Sequence, residues 1–299
     1  MENYIDLHMH SAYSDDGVYT PAELARMCHK AGIRIMAVSD HNCVKANDEA
    51  RKEAERLNIR YIPAVELDCT FQDVNLHLLG YCIRYKNPDF EAVENNIRRQ
   101  CKEASRESLR LTNRLGFHIT EDELNAVSLK GYWKDIWTGE TFAEVLLHKP
   151  EYQHNELLRP YRDGGSRSDN PYVNFYWDYY AQGKPCYAQM VYPGLKDAIS
   201  LIKDNGGKAV LAHPGNNLKN CLALFGEMIS LGIDGVEAFS SYHDTQTAEY
   251  FYREARKNHL MITCGSDFHG KTKPMVRLGE SGCDILQTEV EQQLPNANR

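Results

Sequence analysis

The stretch YIDLHMHSAYSDDG, residues 4–17, starts as a short apolar strand and ends in histidines and acids. Residues two apart on a strand point to the same side of it, so His8 and His10 are expected to face one spot. Asp15 and Asp16 follow within a turn. Two imidazoles and a nearby carboxylate form either a solvated strand end or one part of a metal site, and the rest of the chain decides between these alternatives.

Six further β-rich segments follow the first one, and most are preceded by a helical segment. The first helix is predicted to start after Thr20 as N-cap, with Pro21 at its first position, and to end at Gly32. Alternation of this kind predicts parallel strands in an α/β layer or barrel, and seven strands make a closed or nearly closed barrel the expected fold. The seven segments are YIDLH, RIMAVSD, RYIPAVE, NLHLLGY, KAVLAH, GVEAFS and LMITCGSD.

The alternation stops after about residue 85, where a long charged helix and an aromatic-rich stretch follow. We predict a helical insertion, or lid subdomain, over residues 86–183. The framework on either side, residues 1–85 and 184–285, is predicted to form one discontinuous domain, and residues 286–299 a C-terminal tail. The aromatic residues of the insertion are expected to serve packing more often than ligand contact.

Composition limits the classes of partner. The chain has 299 residues, 42% of them hydrophobic, and a formal net charge of −8. The acidic balance argues against long nucleic acid or a membrane surface as a partner, and no apolar run approaches the roughly 20 residues of a membrane span. Nine cysteines without a CxxC pair, and no signal peptide at the start, predict a cytoplasmic protein. Oligomeric state is not predicted.

Histidines and acids recur at the predicted strand ends. Functional groups gather at the carboxyl ends of parallel strands, and a polar residue at one such end is unremarkable, but six ends are too many for chance. Histidine and carboxylate ligands suit zinc, manganese or iron, and their number exceeds what one ion takes. The sequence therefore predicts two or three divalent transition metal ions. The candidate positions are His8, His10, Asp15, Asp40, His41, Glu66, His77, His213, Asp267 and His269.

The motifs DLHMHSAYSDDG, AVSDHN, VLAHPG and GSDFHG, with AVEL and LHLLGY between them, resemble the polymerase and histidinol phosphatase (PHP) family of metal-dependent phosphoesterases. The resemblance implies a distorted (β/α)7 barrel with a helical insertion. It also implies three ligand sets, in which Glu66 bridges the first two and Asp40 orients an imidazole or water. The sets are His8, His10, Glu66 and Asp267; Glu66, His77 and His213; and Asp15, His41 and His269. Glu66, Asp267 and Asp40 are the expected catalytic residues.

Such a centre predicts hydrolysis of a phosphate ester by direct attack of water, because metal ions activate water and stabilise charge on phosphoryl oxygens. An amidohydrolase barrel also opens with His-x-His, but it usually adds a bridging lysine where this chain has Glu66. A non-catalytic metal-binding scaffold is the alternative from another class, and the filled ligand positions argue against it.

The resemblance is to a subfamily that includes nucleotide phosphatases and cyclic sugar phosphate diesterases. Many members carry Arg-x-His at the start of an insertion helix, where this chain has TGETFAEVLL with Glu140 and Thr141. A glutamate is unfavourable beside a dianionic monoester. We therefore predict a small phosphorylated substrate, by preference a (phospho)ribosyl cyclic phosphate diester that is opened and then dephosphorylated. The alternative is a nucleotide phosphomonoesterase acting on AMP or a nucleoside 3′,5′-bisphosphate.

Residues that contact the substrate are predicted outside the metal ligands. His243 follows the sixth strand on the functional face, and Thr141 lies in the insertion. The candidate substrate contacts are Thr141, Lys184 and His243, and the cations that could balance the phosphate charge are Lys134, Arg159, Arg162, Arg167 and Lys184.

Overall fold

The computed structural model describes residues 3–128, 132–219, 221–283, 285 and 287–294. The strands in these ranges are β1 (Ile5–Asp6), β2 (Ile35–Met36), β3 (Arg60–Tyr61), β4 (Ala64–Phe71), β5 (Val74–Tyr81), β6 (Lys208–Leu211), β7 (Gly235–Ser240) and β8 (Met261–Gly265). The helices are α1 (Pro21–Lys30), α2 (Ala46–Arg56), α3 (Pro88–Arg114), α4 (Glu121–Val127), α5 (Gly139–His148), α6 (Pro171–Tyr179), α7 (Leu195–Asp204), α8 (Pro214–Asn217), α9 (Leu224–Leu231), α10 (Thr245–Lys257) and α11 (Gln287–Gln293).

The strands form one parallel and one mixed sheet, which together with the helices confirm the α/β class. One sheet has the order β1-β2-β3 and the other β4-β5-β6-β7-β8. Strands β4, β5 and β6 pair antiparallel, so the expectation of parallel strands throughout is wrong there. The turn between β4 and β5 is only Gln72 and Asp73, with φ of 46° and 64°. Two residues cannot make the crossover that a parallel pair needs, whereas two positive φ values suit a tight hairpin.

The two sheets contact each other in two places, next to β1 and β8 and next to β2 and β4. Leu7 N donates to Cys264 O at 3.1 Å, which joins β1 to β8. On the other side, an isolated parallel bridge pairs His41 with Glu66. The described strands nevertheless form two separate ladders, so the closed (β/α)7 barrel stays a prediction. These contacts bring the ends of β1, β2, β4 and β8 to one place.

Helix α1 forms as predicted. The Thr20 hydroxyl accepts from Glu23 N, and the Glu23 carboxylate accepts from Thr20 N, so the helix begins with a reciprocal cap. Pro21 occupies the first turn, and Gly32 follows the helix end with φ of 79°. Its buried face, which includes Leu24, packs in an apolar cluster with α2 and β2.

The stretch predicted as an insertion is helical and lies between β5 and β6. Its residues form an apolar cluster of their own, with Phe117, Phe142 and Phe175 at its centre. It contacts the loop after β1 through Trp133 Nε1, which donates to Tyr13 O at 2.6 Å. The boundaries at 86–183 and the discontinuous domain of residues 1–85 and 184–285 stay predictions.

The predicted C-terminal tail contains helix α11, which is attached to the sheet. The Gln287 side chain accepts from Tyr4 N and Ile5 N at 2.6 and 2.9 Å, and Gln293 accepts from Ile262 N at 2.8 Å. Residues 286 and 295–299 of that prediction lie outside the described residues. Among the described helices, none combines the length and apolar character needed to cross a membrane, and the cytoplasmic location stays a prediction.

Candidate metal centre

The first group of converging side chains contains His8, His10, Glu66 and Asp267, all buried. The Nε2 atoms of His8 and His10 lie 3.1 Å apart, and Glu66 Oε2 lies 3.1 Å from each. Asp267 Oδ1 is 3.1 Å from His8 Nε2 and 3.0 Å from His10 Nε2. Four donors around zinc at its usual ligand distance would lie about 3.3 Å apart. The spacing therefore fits one ion.

Glu66 also faces a second group through its other oxygen. Glu66 Oε1 lies 3.1 Å from His77 Nδ1 and 3.2 Å from His213 Nε2. The structure thus brings together the residues of the second predicted set, and Glu66 lies between the two sets. His41 joins this region as well, with its Nδ1 3.4 Å from Glu66 Oε2.

Asp68 belongs to the same region, although we did not predict it from the sequence. Its Oδ1 lies 3.4 Å from both His41 Nδ1 and His77 Nε2, and its Oδ2 accepts from Asn42 Nδ2 at 2.7 Å. Asp68 follows Glu66 by two residues on β4, so both point to the same side of the strand. The period-two pattern that identified His8 and His10 would have identified this residue too.

A third group contains His10, Asp16, His41 and His269. Asp16 Oδ2 lies 2.9 Å from His269 Nε2 and 3.9 Å from His41 Nε2. Among the described residues, the acid in this group is Asp16, and the predicted Asp15 belongs to none of the three groups. This corrects the third predicted set.

The loop after β1 explains why Asp16 faces the group. Gly17 lies so close to Ser11 that a Cβ there would come within 2.0 Å of Ser11 O. The Asp16 backbone carbonyl accepts from Thr272 Oγ1 at 2.7 Å, and its side chain accepts from Ser14 Oγ at 2.8 Å. Burial and the neighbouring Asp16 carboxylate raise the pKa of Asp15 to about 7.

Unsatisfied polar atoms test whether ions fit these groups. Within the described part of the chain, several buried ring nitrogens and carboxylate oxygens of the three groups make no hydrogen bond. Buried polar atoms without partners are rare, and each calls for an explanation. Divalent ions would satisfy them, because imidazole and carboxylate are ligands for such ions. The atoms are His41 Nδ1, Glu66 Oε1, His77 Nδ1, Asp267 Oδ1 and His269 Nε2.

Neighbouring groups favour the charged forms of the two central carboxylates. Burial alone would raise the pKa of Glu66, but His8, His41 and His77 hold it well below its usual range. For Asp267, burial is likewise outweighed by Lys273, His269 and His8, so its pKa also lies well below the usual range. The charged form of a carboxylate is the form that binds a metal ion.

Two buried acids behind the ligands position them, and the sequence analysis identified neither. Glu237 Oε1 lies 3.0 Å from His8 Nδ1, and Glu237 Oε2 accepts from His213 N at 2.9 Å. Asp6 accepts from Ser266 N at 2.9 Å and from Ser266 Oγ at 2.6 Å, which fixes the residue before Asp267. Both acids lie within strands, where a polar residue gives no distinctive sequence signal.

Among the described residues, Asp40 pairs with Ser11 and not with an imidazole, and the alternative that it orients a water stays a prediction. Its Oδ1 accepts from Ser11 N at 2.5 Å and its Oδ2 from Ser11 Oγ at 2.7 Å. Burial raises the pKa of Asp40 to about 6. Asp40 therefore anchors the loop after β1, because both of its oxygens are engaged by the same serine.

His243 has a structural role, and its predicted contact with the substrate stays a prediction. Its Nδ1 pairs with Ala238 O at 2.8 Å, and its Nε2 accepts from Gly215 N at 3.0 Å. Both ring nitrogens are thus engaged by backbone groups, which holds the chain after His213. Thr141 has its hydroxyl 3.5 Å from that of Thr138 at the start of α5, and Lys184 is exposed after α6.

The cations proposed to balance a phosphate are engaged elsewhere or exposed. Arg162 donates to Leu147 O and Tyr152 O, both at 2.9 Å, and Arg167 pairs with Asp178. Arg159 pairs with Glu156 at 3.2 Å on the surface, and Lys134 is exposed. A different lysine, Lys273, contacts the centre: its Nζ lies 2.7 Å from Asp267 Oδ2.

A family model described as PHP domain matches residues 6–184, which is more than half of the 299-residue chain. The chain belongs to the PHP domain family. Relatives of this PHP protein are named as a phosphatase, a diphosphodiesterase and exoribonucleases. With the family, they identify it as a phosphoric ester hydrolase and confirm the predicted resemblance.

Three of these relatives match this PHP protein over most of its length. The 3′,5′-nucleoside bisphosphate phosphatase of Chromobacterium violaceum is 28% identical over 95% of this chain and 91% of its own. The phosphoribosyl 1,2-cyclic phosphate 1,2-diphosphodiesterase of Eggerthella lenta is 25% identical over 89% and 94%. The 5′-3′ exoribonuclease Rnm of Escherichia coli is 28% identical over 92% and 87%.

Solved structures match the whole fold of this PHP protein. A Bifidobacterium adolescentis protein, provisionally described as a metal-dependent phosphoesterase, has a TM-score of 0.75, 25% identity and coverage of 98% of this chain and 96% of its own. A Chromobacterium violaceum structure described as an amidohydrolase with bound sulfate has a TM-score of 0.76, 24% identity and coverage of 98% of both chains. The second likeness concerns the fold alone.

Proposed function

We propose that this PHP protein uses two or three Mn, Fe or Zn ions to hydrolyse a phosphate ester in a small phosphorylated sugar or nucleotide. The observation that carries the proposal is the position of Glu66, whose two oxygens face two different groups of histidines at 3.1–3.2 Å. A carboxylate shared in this way supports neighbouring ions, the arrangement found in hydrolases that act on phosphate esters.

The proposal assigns roles to residues of the three groups. His8, His10, Glu66 and Asp267 would hold one ion, and Glu66, His77 and His213 a second. Asp16, His41 and His269 would hold the third. When bound, divalent ions activate water and neutralise charge on the phosphoryl oxygens.

Residues around the three groups hold the proposed metal ligands in position. Glu237 fixes the ring of His8 so that Nε2 faces the group, and Asp6 and Asp40 hold the two loops that carry Asp267 and Asp16. The contacts between the two sheets support a distorted (β/α)7 barrel as the frame of the centre. The helical insertion, which contacts the loop after β1, is proposed to cover the substrate as a lid.

A (phospho)ribosyl cyclic phosphate is the preferred substrate, opened first and then dephosphorylated. Glu140 lies buried at the start of α5, within electrostatic reach of the Asp16 carboxylate. Acidic neighbours disfavour the second negative charge of a phosphomonoester more than the single charge of a cyclic diester. The Eggerthella lenta relative, which is named for a phosphoribosyl 1,2-cyclic phosphate, supports this preference.

A nucleotide phosphomonoesterase is the second candidate. The Chromobacterium violaceum relative is named for nucleoside 3′,5′-bisphosphates and covers 95% of this chain. Tyr176 of α6 and Tyr192 lie close enough to Asp15 and Asp68 for their charges to interact, so aromatic side chains border the centre. A nucleobase could stack on such side chains.

A parallel assay with Mn²⁺ separates these candidates. The substrates are a ribose 1,2-cyclic phosphate, a nucleoside 3′,5′-bisphosphate, AMP, histidinol phosphate and a 5′-phosphorylated oligoribonucleotide. We expect the cyclic ester to have the highest kcat/KM. Nucleotides that turn over about a hundredfold better, a difference of about 2.7 kcal/mol in transition-state binding, would contradict the preference. Fastest turnover of the oligonucleotide would overturn the small-substrate proposal.

Variants of the centre test whether it is catalytic at all. Asp267→Ala and His213→Ala should each abolish hydrolysis while circular dichroism shows a folded protein. Activity that survives both substitutions would favour a scaffold role for the metal groups. Lys52→Ala, at an exposed position of α2, is the matched control for expression and handling.

A further inference from the structure

Lys273 is a buried cation beside the metal centre. Among the described residues that are buried, it is the only lysine or arginine, and its side chain is 11% exposed. Its Nζ lies 2.7 Å from Asp267 Oδ2, while Asp267 Oδ1 belongs to the first ligand group. The ammonium group is therefore one carboxylate away from the position proposed for an ion.

The local fold holds Lys273 in this place. A 3₁₀ turn at Gly270–Thr272 precedes it, starting at Gly270 with φ of 77°. Lys273 N donates to Gly270 O at 3.2 Å, and Thr272 Oγ1 donates to the backbone carbonyl of Asp16 at 2.7 Å. The segment is thus fixed against the loop that carries Asp16. Its backbone conformation directs the Lys273 side chain to the centre.

Pairing with Asp267 does not use the whole of this cation. Asp267 Oδ2 takes one of the three N–H donors of the ammonium, while Asp267 Oδ1 contacts two imidazoles, so the ammonium can donate to a further acceptor. Burial of an ammonium costs several kcal/mol. A position beside divalent ions adds repulsion. The Asp267 carboxylate offsets part of this repulsion, and a second anion that contacts both the ammonium and the ions would offset more of it.

Tyr242 borders the space next to Lys273. The Lys273 Nζ lies 5.2 Å from the centre of the Tyr242 ring, and that ring lies 5.5 Å from the ring of His213. Lys273 and Tyr242 therefore form one wall that runs from Asp267 to His213. These two ligands belong to the first and the second proposed ion, so a group bound against the wall would lie next to both.

We propose that the Lys273 ammonium binds a non-bridging oxygen of the substrate phosphoryl group. The inference rests on the proposed function of the metal centre and extends it by naming the protein cation that recognises the phosphate. Lysine binds phosphate as a point charge and requires no fixed bidentate geometry. It can therefore bind the phosphoryl group of a monoester or of a cyclic diester. It replaces the basic residues expected on α5, where Glu140 stands.

Binding of inorganic phosphate tests the inference without a known substrate. Isothermal titration of the Mn²⁺-loaded protein gives the affinity, and metal analysis of each variant gives the bound ions. We expect Lys273→Met to weaken phosphate binding at least tenfold with unchanged metal content, and Lys273→Arg to restore most of it. Lys273→Gln provides the same comparison if the methionine variant is unstable.

Lys271→Met is the matched control, because Lys271 lies two residues away, pairs with Glu144 at 3.0 Å and is half-exposed. Its phosphate affinity should stay within twofold of the parent. Unchanged phosphate affinity in Lys273→Met would overturn the inference. Loss of bound metal in that variant would also overturn it, since Lys273 would then only position Asp267. Lys273-dependent phosphate binding in a protein that hydrolyses no sugar or nucleotide ester would uphold the inference and refute the proposed function.

Discussion

Glu237 Oε1 lies 3.0 Å from Nδ1 of His8, and both side chains are fully buried. The carboxylate accepts from Nδ1, and Nε2 of His8 is directed toward His10, Glu66 and Asp267. A carboxylate behind a histidine in this way fixes its tautomer and raises its basicity as a ligand.

Glu237→Gln should therefore weaken metal binding. Removal of a carboxylate that supports a histidine ligand typically costs about 10- to 100-fold in metal affinity or activity. Competition with a chelator of known affinity measures the change. Glu91→Gln, exposed near the start of α3, is the control and should leave the affinity as it was. Equal metal affinity in the two variants would show that Glu237 does not strengthen metal binding through His8.

Asp16 and Asp15 provide a direct test of the third group. Asp16→Asn should lower the number of bound ions by one, because its Oδ2 is the carboxylate oxygen nearest His269. Asp15→Asn should keep the full number, because Asp15 lies outside the three groups. Metal analysis after dialysis compares the two variants. Loss of an ion in Asp15→Asn, with the full number kept in Asp16→Asn, would instead support Asp15 as the ligand, as predicted from the sequence.

The sequence was informative where one local rule applied. Spacing of two residues placed His8 beside His10, and the end of β8 leads to Asp267, whereas Glu66 lies inside β4 and not at its predicted strand end. It could not choose between Asp15 and Asp16, because that choice depends on Thr272, which contacts the loop from 256 positions away. A contact between residues so far apart in the chain cannot be predicted from the local sequence.

The fold shows the same limit. Helix α1 follows from Thr20 and Pro21 alone, since a cap and a first-turn proline act locally. The hairpin of β4 and β5 was missed because Gln72 and Asp73 occupy positive-φ positions that usually carry glycine or asparagine. Glu237 was missed because it lies within β7, where its partner His8 is distant in sequence.

Trp133 links the insertion to the loop that carries Asp16. Trp133→Phe removes the hydrogen bond from Nε1 to Tyr13 O and keeps most of the ring. A typical hydrogen bond contributes about 0.5–1.5 kcal/mol, so we expect the KM for substrate to rise about two- to tenfold.

Trp137→Phe is the control for this variant, because Trp137 Nε1 donates to Asn125 within the insertion at 2.9 Å. The unfolding midpoints of Trp133→Phe and Trp137→Phe should fall by similar amounts. The KM of Trp137→Phe should stay unchanged. An equal effect on KM from both variants would show that the insertion acts through its stability alone, without the contact to Tyr13.

Metal content is the measurement that tests the account most directly. The protein purified with Mn²⁺, Fe²⁺ or Zn²⁺ in the medium should retain two to three transition metal ions per chain by mass spectrometry. Glu66→Gln should retain at most one, because both of its oxygens face histidine ligands. Hydrolysis should disappear on chelation and return with Mn²⁺. Fewer than one tightly bound ion per chain in the parent protein, with hydrolysis that survives chelation, would contradict the account.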